Sequence, residues 1–405
     1  MAPPRIALSG PDIGETERRL VNEVLSGTSL ACGPVLESFE REFAARVGSE
    51  HAVAVSSGTA GLHLAVVAEG VQQNDFVITT PFSFVASANV VLYERATPVF
   101  VDIDEETLMP APEAIIETAH RMRTRTGGWQ SLLPRRGVHG LGLLRAILPV
   151  HVFGRPADLR SIIEAARQIE VSVIEDACEA VGASVDGRAA GTLGDSGVFA
   201  FYPNKQMTTG EGGMIVTNDA SRARLFRILR NQGREDHGEW LRHTLLGYNY
   251  RMDEMSAAMG LGQLRRLDEL LAKRRAVADT YTSLLEPITG IAPLLRPENG
   301  TEHGWFVYAV RVDAEIDRDD LMRRLAERGV PSRPYFTPIH LQPLYAGRFG
   351  FQPGDFPRAE EAGRTILALP FHTGLSQSDL EYVVDQIRVE LPNARRPAPA
   401  IAAQR

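Results

Sequence analysis

GVFAFYPNKQMTTGEGGMIVTN, residues 197–218, sets two apolar runs on either side of a single lysine, Lys205, and a string of threonines and glycines. GVFAFYP (197–203) and GGMIVTN (212–218) are apolar at successive positions, the pattern of strands covered on both faces. Outward from them the pattern recurs in AVAVSS (52–57), DFVITT (75–80), TPVFVDID (97–104), AILPVHVF (146–153) and VSVIEDA (171–177). Helix-spaced segments such as TAGLHLAVVAEG (59–70) and PADLRSIIEAARQ (156–168) lie between several of these runs. Buried strands joined by helices predict an α/β domain over residues 13–250, with a mostly parallel seven-stranded sheet covered by helices. MDEMSAAMGLGQLRRLDELLAKRRAVADTYTSLLE (252–286) then reads as one long helix with charge on one side. WFVYAVRVD (305–313) reads as a strand and DRDDLMRRLAERG (317–329) as a helix closed by Gly329. SQSDLEYVVDQIRVEL (376–391) reads as a helix opened by a capping box of Ser376 and Asp379. Together these predict a smaller C-terminal α+β domain over residues 251–390. The tail, 391–405, is rich in Pro and Ala and reads as disordered.

The chain has 405 residues, 44% hydrophobic and 23% charged, ample for a large packed core. A net charge of −8 argues against a nucleic-acid partner, whose affinity normally comes from a basic surface. The two cysteines, Cys32 and Cys178, form neither a disulfide framework nor a zinc motif. No apolar run has the length of a signal peptide or a membrane span. A cytoplasmic protein without a membrane partner is the expectation.

Open α/β sheets place ligands at the carboxyl ends of their strands. After the first run, Ser57, Gly58 and Thr59 open a helix, and such a turn offers free backbone N–H groups and a hydroxyl to a phosphate, although the same residues also cap ordinary helices. Glu175 and Asp176 end another run; a carboxylate there could cap a helix or bind metal, but no histidine and carboxylate cluster at metal spacing accompanies it. Phe84 follows the run DFVITT, and His151 in LPVHVFG reads as a core histidine. Lys205 comes 29 residues after Asp176. A phosphate cradle, an aromatic platform, a strand-end carboxylate and a lysine are the four groups a pyridoxal 5′-phosphate site needs. The lysine binds the aldehyde, the carboxylate keeps the ring nitrogen protonated, the aromatic stacks on the ring and the turn holds the phosphate.

The order of these groups resembles the fold-type I pyridoxal phosphate-dependent transferases. Over residues 5–390 the chain resembles, more narrowly, the DegT/DnrJ/EryC1/StrS family of sugar aminotransferases. The stretches that carry the resemblance include SSGTAGLHLA, TTPFSFVASANVV, VIEDACEAVGA, FAFYPNKQMTTGEGGMIVTND, GYNYRMDEMSAAMG and RPYFTPIH. It implies that Lys205 is the catalytic, cofactor-bearing lysine, Asp176 the partner of the ring nitrogen and Phe84 the stacking ring. Gly58, Thr59 and Ala60 become the phosphate turn, and Glu179 lies beside the cofactor's 3-hydroxyl. Asn249 would reach the phosphate of the neighbouring subunit's cofactor, in a homodimer with shared sites. Tyr335, His340 and Arg251 are candidate substrate contacts. The implied reaction carries an amino group from L-glutamate to a nucleotide-linked keto-sugar; a cyclic ketone such as a keto-inositol, or a cofactor-binding regulatory protein without turnover, are the alternatives. Relatives that deoxygenate sugars often have histidine in place of the lysine, and Lys205 argues against that class.

Two departures stand out. Ala200 occupies a position where many relatives place a phosphate-binding serine. Residues 118–146 form a basic insertion that carries Arg121, Arg123, Arg125, Arg135, Arg136 and Arg145 without Asp or Glu. The insertion reads as a surface elaboration or, alternatively, as a source of guanidinium groups for the substrate's diphosphate. HGLGLLRA within it follows no strand and lacks the third glycine of a dinucleotide fingerprint, which excludes a nicotinamide site.

Overall fold

The computed structural model describes residues 5–235, 241–295 and 299–395. Helices α1 (Glu15–Leu25) and α2 (Pro34–Val47) precede strand β1 (His51–Val55). The large domain continues through α3 (Gly58–Ala68), β2 (Phe76–Thr79), α4 (Ala86–Tyr93), β3 (Thr97–Phe100), α5 (Pro112–Thr124), β4 (Leu144–Ile147), α6 (Arg160–Gln168) and β5 (Ser172–Asp176). A short hairpin, β6 (Ser184–Val185) and β7 (Arg188–Ala189), leads to β8 (Ser196–Ala200), β9 (Gly213–Thr217) and α7 (Ala220–Arg230). The seven apolar runs become one sheet of order β1-β9-β8-β5-β4-β2-β3, in which β9 alone runs antiparallel to its neighbours.

Period-two alternation explains why these strands are apolar throughout. On β8, Val198 joins the core beneath α3, where Gly61 lets the helix backbone approach: a Cβ there would lie 2.7 Å from Val198 Cγ1. Phe199 and Phe201 face the other layer and pack with Phe39 and Phe43 of α2. Both faces are dry, so each strand end is fixed to within the play of a packed core.

The long helical pattern resolves into two helices, α8 (Glu254–Arg265) and α9 (Leu267–Leu285). Arg266 breaks it at φ −103° and ψ 6°, its N–H closing the last turn on Gln263 and Leu264 while its guanidinium reaches Asp12, Glu17 and Glu269. Leu261 and Leu264 of α8 and Leu267 at the start of α9 pack into the Phe39–Phe43 cluster. Beyond α9, β10 (Ile291–Pro293), β12 (Tyr308–Val312) and β13 (Ile366–Leu369) form an antiparallel sheet, while β11 (Thr301–Glu302) pairs with β6. Helices α10 (Arg318–Glu327), α11 (Pro343–Phe349), α12 (Pro357–Thr365) and α13 (Gln377–Glu390) complete the C-terminal part. Gly329 follows α10 at φ +76°, and the Ser376–Asp379 capping box opens α13. Within the expected tail, Leu391–Ala394 form a further turn with Leu391 and Ala394 buried, and residues 396–405 lie outside the described residues.

The basic insertion is built into the fold. Trp129 is buried edge-on to Phe76, and Arg125 lies over its ring while donating to the carbonyls of Leu141 and Gly142. Arg121 donates to Gly127, Arg123 to Ile169 and Arg145 to Asp75. Arg135 forms a fork with Asp355, and the Arg136 amide bonds to Phe349, which straps the insertion to α11 and the loop after it. None of these arginines lines the large cavity described below, so within one chain the diphosphate-binding alternative has no geometric support. Arg135→Ala is therefore expected to leave the Michaelis constant for the acceptor unchanged and to lower Tm slightly, as an exposed ion pair contributes little; a raised constant at an unaltered Tm would restore a substrate role.

Candidate active site

A cavity of about 460 Å³ opens at the carboxyl ends of β1, β5 and β8, and Gly58, Thr59, Phe84, Asp176, Glu179, Lys205 and Tyr335 all line it. Ser57 caps α3: its Oγ accepts from the Ala60 amide at 3.0 Å. The amides of Gly58 and Thr59 belong to the helix's first turn, which has no intrahelical acceptors for them, and they sit at the positive end of its dipole. A Cβ on Gly58 would lie 2.6 Å from Ala200 Cβ and 2.9 Å from Cys178 Sγ, so glycine is what lets β8 and the helix start close together. The Ala60 amide donates to Ser57 Oγ and Ala60 does not line the cavity, whereas Ser57, Gly58 and Thr59 do.

Strand alternation separates the two carboxylates that end β5. Glu175 turns into the core, where it accepts from the amides of Gly191, Leu193 and Gly194 and from His151 Nε2. His151 Nδ1 accepts from the Ala157 amide, so the ring's proton sits on Nε2 and points at Glu175. This answers what Glu175 does: it anchors a loop. Asp176 turns the other way into the cavity, 5% exposed, with Ser87 Oγ donating to it at 2.7 Å and the Cys178 amide at 3.1 Å. Burial, with the Asp176 charge beside it, raises the Cys178 thiol and keeps it protonated.

Lys205 closes a turn onto the Tyr202 carbonyl, and its side chain is only 13% exposed. Nζ lies 3.7 Å from Glu179 Oε1 and 3.8 Å from the centre of the Phe306 ring. Burial raises the Glu179 carboxyl above the usual carboxylate range, against the opposing pull of Lys205, while the Phe153 amide donates to its other oxygen at 2.8 Å. Phe84 stands at the cavity mouth, 62% exposed, where an unpaired aromatic face is available to a flat ring. Burial and the Glu179 charge raise the Tyr335 phenol.

Three expected contacts lie elsewhere in this chain. His340 is fully buried, with Nε2 donating to Glu360 Oε1 at 3.0 Å and its ring packed on Phe356; burial lowers its pKa, and it does not line the cavity. Arg251 bonds the side chains of Asn231 and Gln232 beside a separate pocket of about 260 Å³. Asn249 is exposed in a bridge with Asn231. Sequence reasoning missed Ser87 and Phe306. Ser87 follows Phe84 by three residues at the start of α4, a spacing that could have flagged it; Phe306 comes from the other domain and gave no signal.

Residues 11–388 match the DegT/DnrJ/EryC1/StrS aminotransferase family. The chain belongs to this family. The aminotransferase is 38% identical to the GDP-perosamine synthase of Caulobacter vibrioides over 95% of its own length and 99% of that protein. Its fold matches the aminotransferase TlmJ from Streptoalloteichus hindustanus with a TM-score of 0.84, at 34% identity over 96% and 99% of the two chains. The PLP-form of the Streptococcus pneumoniae protein Spr1654 shares the fold at a TM-score of 0.86 and 24% identity, over 96% and 100% of the two chains.

Aminotransferases of this family bind pyridoxal 5′-phosphate. The residues present fit it. Free amides at a helix start beside Gly58, a buried carboxylate at a strand end, an exposed ring and a lysine amine share one cavity of suitable size. When bound, the cofactor supplies an aldehyde that carries the amino group and an electron-withdrawing ring that takes up the pair released at carbon.

Proposed function

We propose that this aminotransferase moves an amino group from L-glutamate to the ketone of a nucleotide-linked sugar, of the 4-keto-6-deoxy type, as a step in amino-sugar, polysaccharide or glycoside biosynthesis in the cytoplasm. The convergence of Lys205 and Asp176 on one cavity carries the reading, and the similarity to a GDP-perosamine synthase supports the sugar. Lys205 Nζ is the amine that would hold the cofactor through its aldehyde, and when free it would serve as the acid–base group that moves a proton at the donor's α-carbon. Asp176 Oδ would hold the proton on the ring nitrogen, Phe84 would cover the ring, Gly58 and Thr59 would hold the phosphate, and Glu179 would serve the 3-hydroxyl. Tyr335 faces the substrate. Incubation with L-glutamate and a panel of 4-keto and 3-keto nucleotide sugars, read by mass spectrometry, is expected to give one amino sugar; conversion of a keto-inositol and no nucleotide sugar would replace this substrate class with the cyclic ketones.

The enzyme works as a homodimer in which Asn249, and beside it Arg251, serve the partner's site. Neither residue lines the cavity of its own chain, which supports this. Lys205→Ala and Asn249→Asp should each be inactive, yet mixing them with subunit exchange should return about a quarter of wild-type activity, because half the dimers are mixed and each has one intact site. Exchange without recovery would place both residues in the same chain's site.

A further inference from the structure

Arg274 is a charge buried without a counter-charge. It lies on α9, 3% exposed, and among the described residues no carboxylate pairs with it. Its guanidinium instead donates to four backbone carbonyls: those of Trp305 (3.0 Å) and Phe306 (3.3 Å) through one nitrogen, and those of Asn204 (3.3 Å) and Lys205 (2.8 Å) through the other. Nε has no partner. Burial pushes its pKa down to about 10, so it stays a cation at neutral pH. Burying a cation is costly, and dipoles alone compensate it less completely than a carboxylate. A structural tie between two loops would not need a charge. The two loops it joins are the ones that meet at the reactive amine: one bears Lys205, and the other bears Phe306, whose ring lies 3.8 Å from Nζ.

We propose that Arg274 is a positioning residue: its planar fork locks the Lys205 loop of the large domain to the Phe306 loop of the small domain and thereby aims Lys205 Nζ at the cofactor's aldehyde. This rests on Lys205 being the cofactor lysine. Five N–H donors in one plane can serve two carbonyls on each side at once. A lysine ammonium is a point donor and cannot span both loops, and a glutamine amide has two N–H groups on a shorter stem. Loss of aim by about 1 Å costs on the order of 100-fold in rate.

The test starts from apoenzyme of the wild type, Arg274→Lys and Arg274→Gln, mixed with free pyridoxal 5′-phosphate. The rate of covalent capture is followed by absorbance, and the modified lysine is mapped after borohydride reduction. Melting temperature of each apoenzyme, visible circular dichroism of the loaded protein, and kcat and KM for L-glutamate are read alongside. Capture is expected to slow about 100-fold in both variants, with altered dichroism, kcat reduced and KM within about twofold, as follows when an orienting contact is lost. Wild-type capture and dichroism in either folded variant overturn the proposal, as does a loss of capture that only tracks the unfolded fraction. Should one variant fail to fold, the other decides. Capture on Lys273 in the wild type would overturn the Lys205 assignment instead, an outcome that mapping separates from failure of the clamp.

Discussion

Replacement of Lys205 by alanine is expected to abolish turnover, by at least about 10⁴-fold, since general acid–base transfer alone contributes about 10²–10⁴ and the covalent link to the carrier is lost with it. Lys205→Arg should be equally inactive, although it preserves the charge beside Glu179. A guanidinium does not shed its proton at any working pH and so can neither attack the aldehyde nor move a proton. The assignment is unusually easy to check, because the 405 residues contain two lysines. Lys273 sits on α9 with Asp12 and Glu269 holding its amine, away from the cavity. Borohydride reduction of the cofactor-loaded enzyme should therefore mark the peptide with Lys205, and a marked Lys273 or an unmarked protein would end the assignment. Binding of the cofactor by Lys205→Ala should persist but become reversible on dialysis, since the Ser57–Thr59 turn, Phe84 and Asp176 remain.

The sheet was legible because its strands are dry on both faces: VSVIED and GVFAF contain hardly a polar residue until the strand end, where Asp176 and Lys205 enter the cavity. The same rule pointed to the turn at Ser57–Thr59, which lines the cavity, since the helix start follows a buried strand directly. The break between α8 and α9 was not legible. LRRLDE holds neither glycine nor proline, and what stops the helix is a set of distant carboxylates, Asp12 and Glu17, drawn to the Arg266 guanidinium. The surroundings of His340 were likewise not legible: PIH follows the cavity residue Tyr335, but the chain turns and sets the ring against Glu360. Arg274 and Phe306 escaped because their partners are backbone carbonyls and a lysine some 70 and 100 residues away, and a carbonyl leaves no mark in a sequence. The arginines of the insertion show the reverse: a cluster conspicuous in the sequence spent its donors on carbonyls, Asp75 and Asp355.

Asp176→Asn should reduce turnover by about 100-fold or more while leaving the fold intact, as expected when a preorganised charge is removed from a water-poor site. Asparagine matches aspartate in shape, and its Oδ1 can still accept from the Cys178 amide or from Ser87 Oγ, so packing at the end of β5 changes little. What it lacks is the negative charge. A carboxylate that is almost fully buried, with Ser87 donating to one oxygen and a backbone amide to the other, is held in one direction and cannot rotate to find another partner. Asp176 lines the cavity, and on the proposed function its remaining acceptor capacity would keep the cofactor's ring nitrogen protonated. Without that proton the ring withdraws electrons less strongly, and the carbon acid of the donor becomes harder to ionise. The loss should thus fall on kcat for both half-reactions, with the affinity for L-glutamate little changed, because the donor does not touch Asp176. Ser87→Ala offers a graded control: it frees one oxygen of Asp176 without removing the charge, so the loss should be smaller than in Asp176→Asn and of the same kind. Near-normal kcat in Asp176→Asn, with the melting temperature and cofactor content of the wild type, would show that another group protonates the ring.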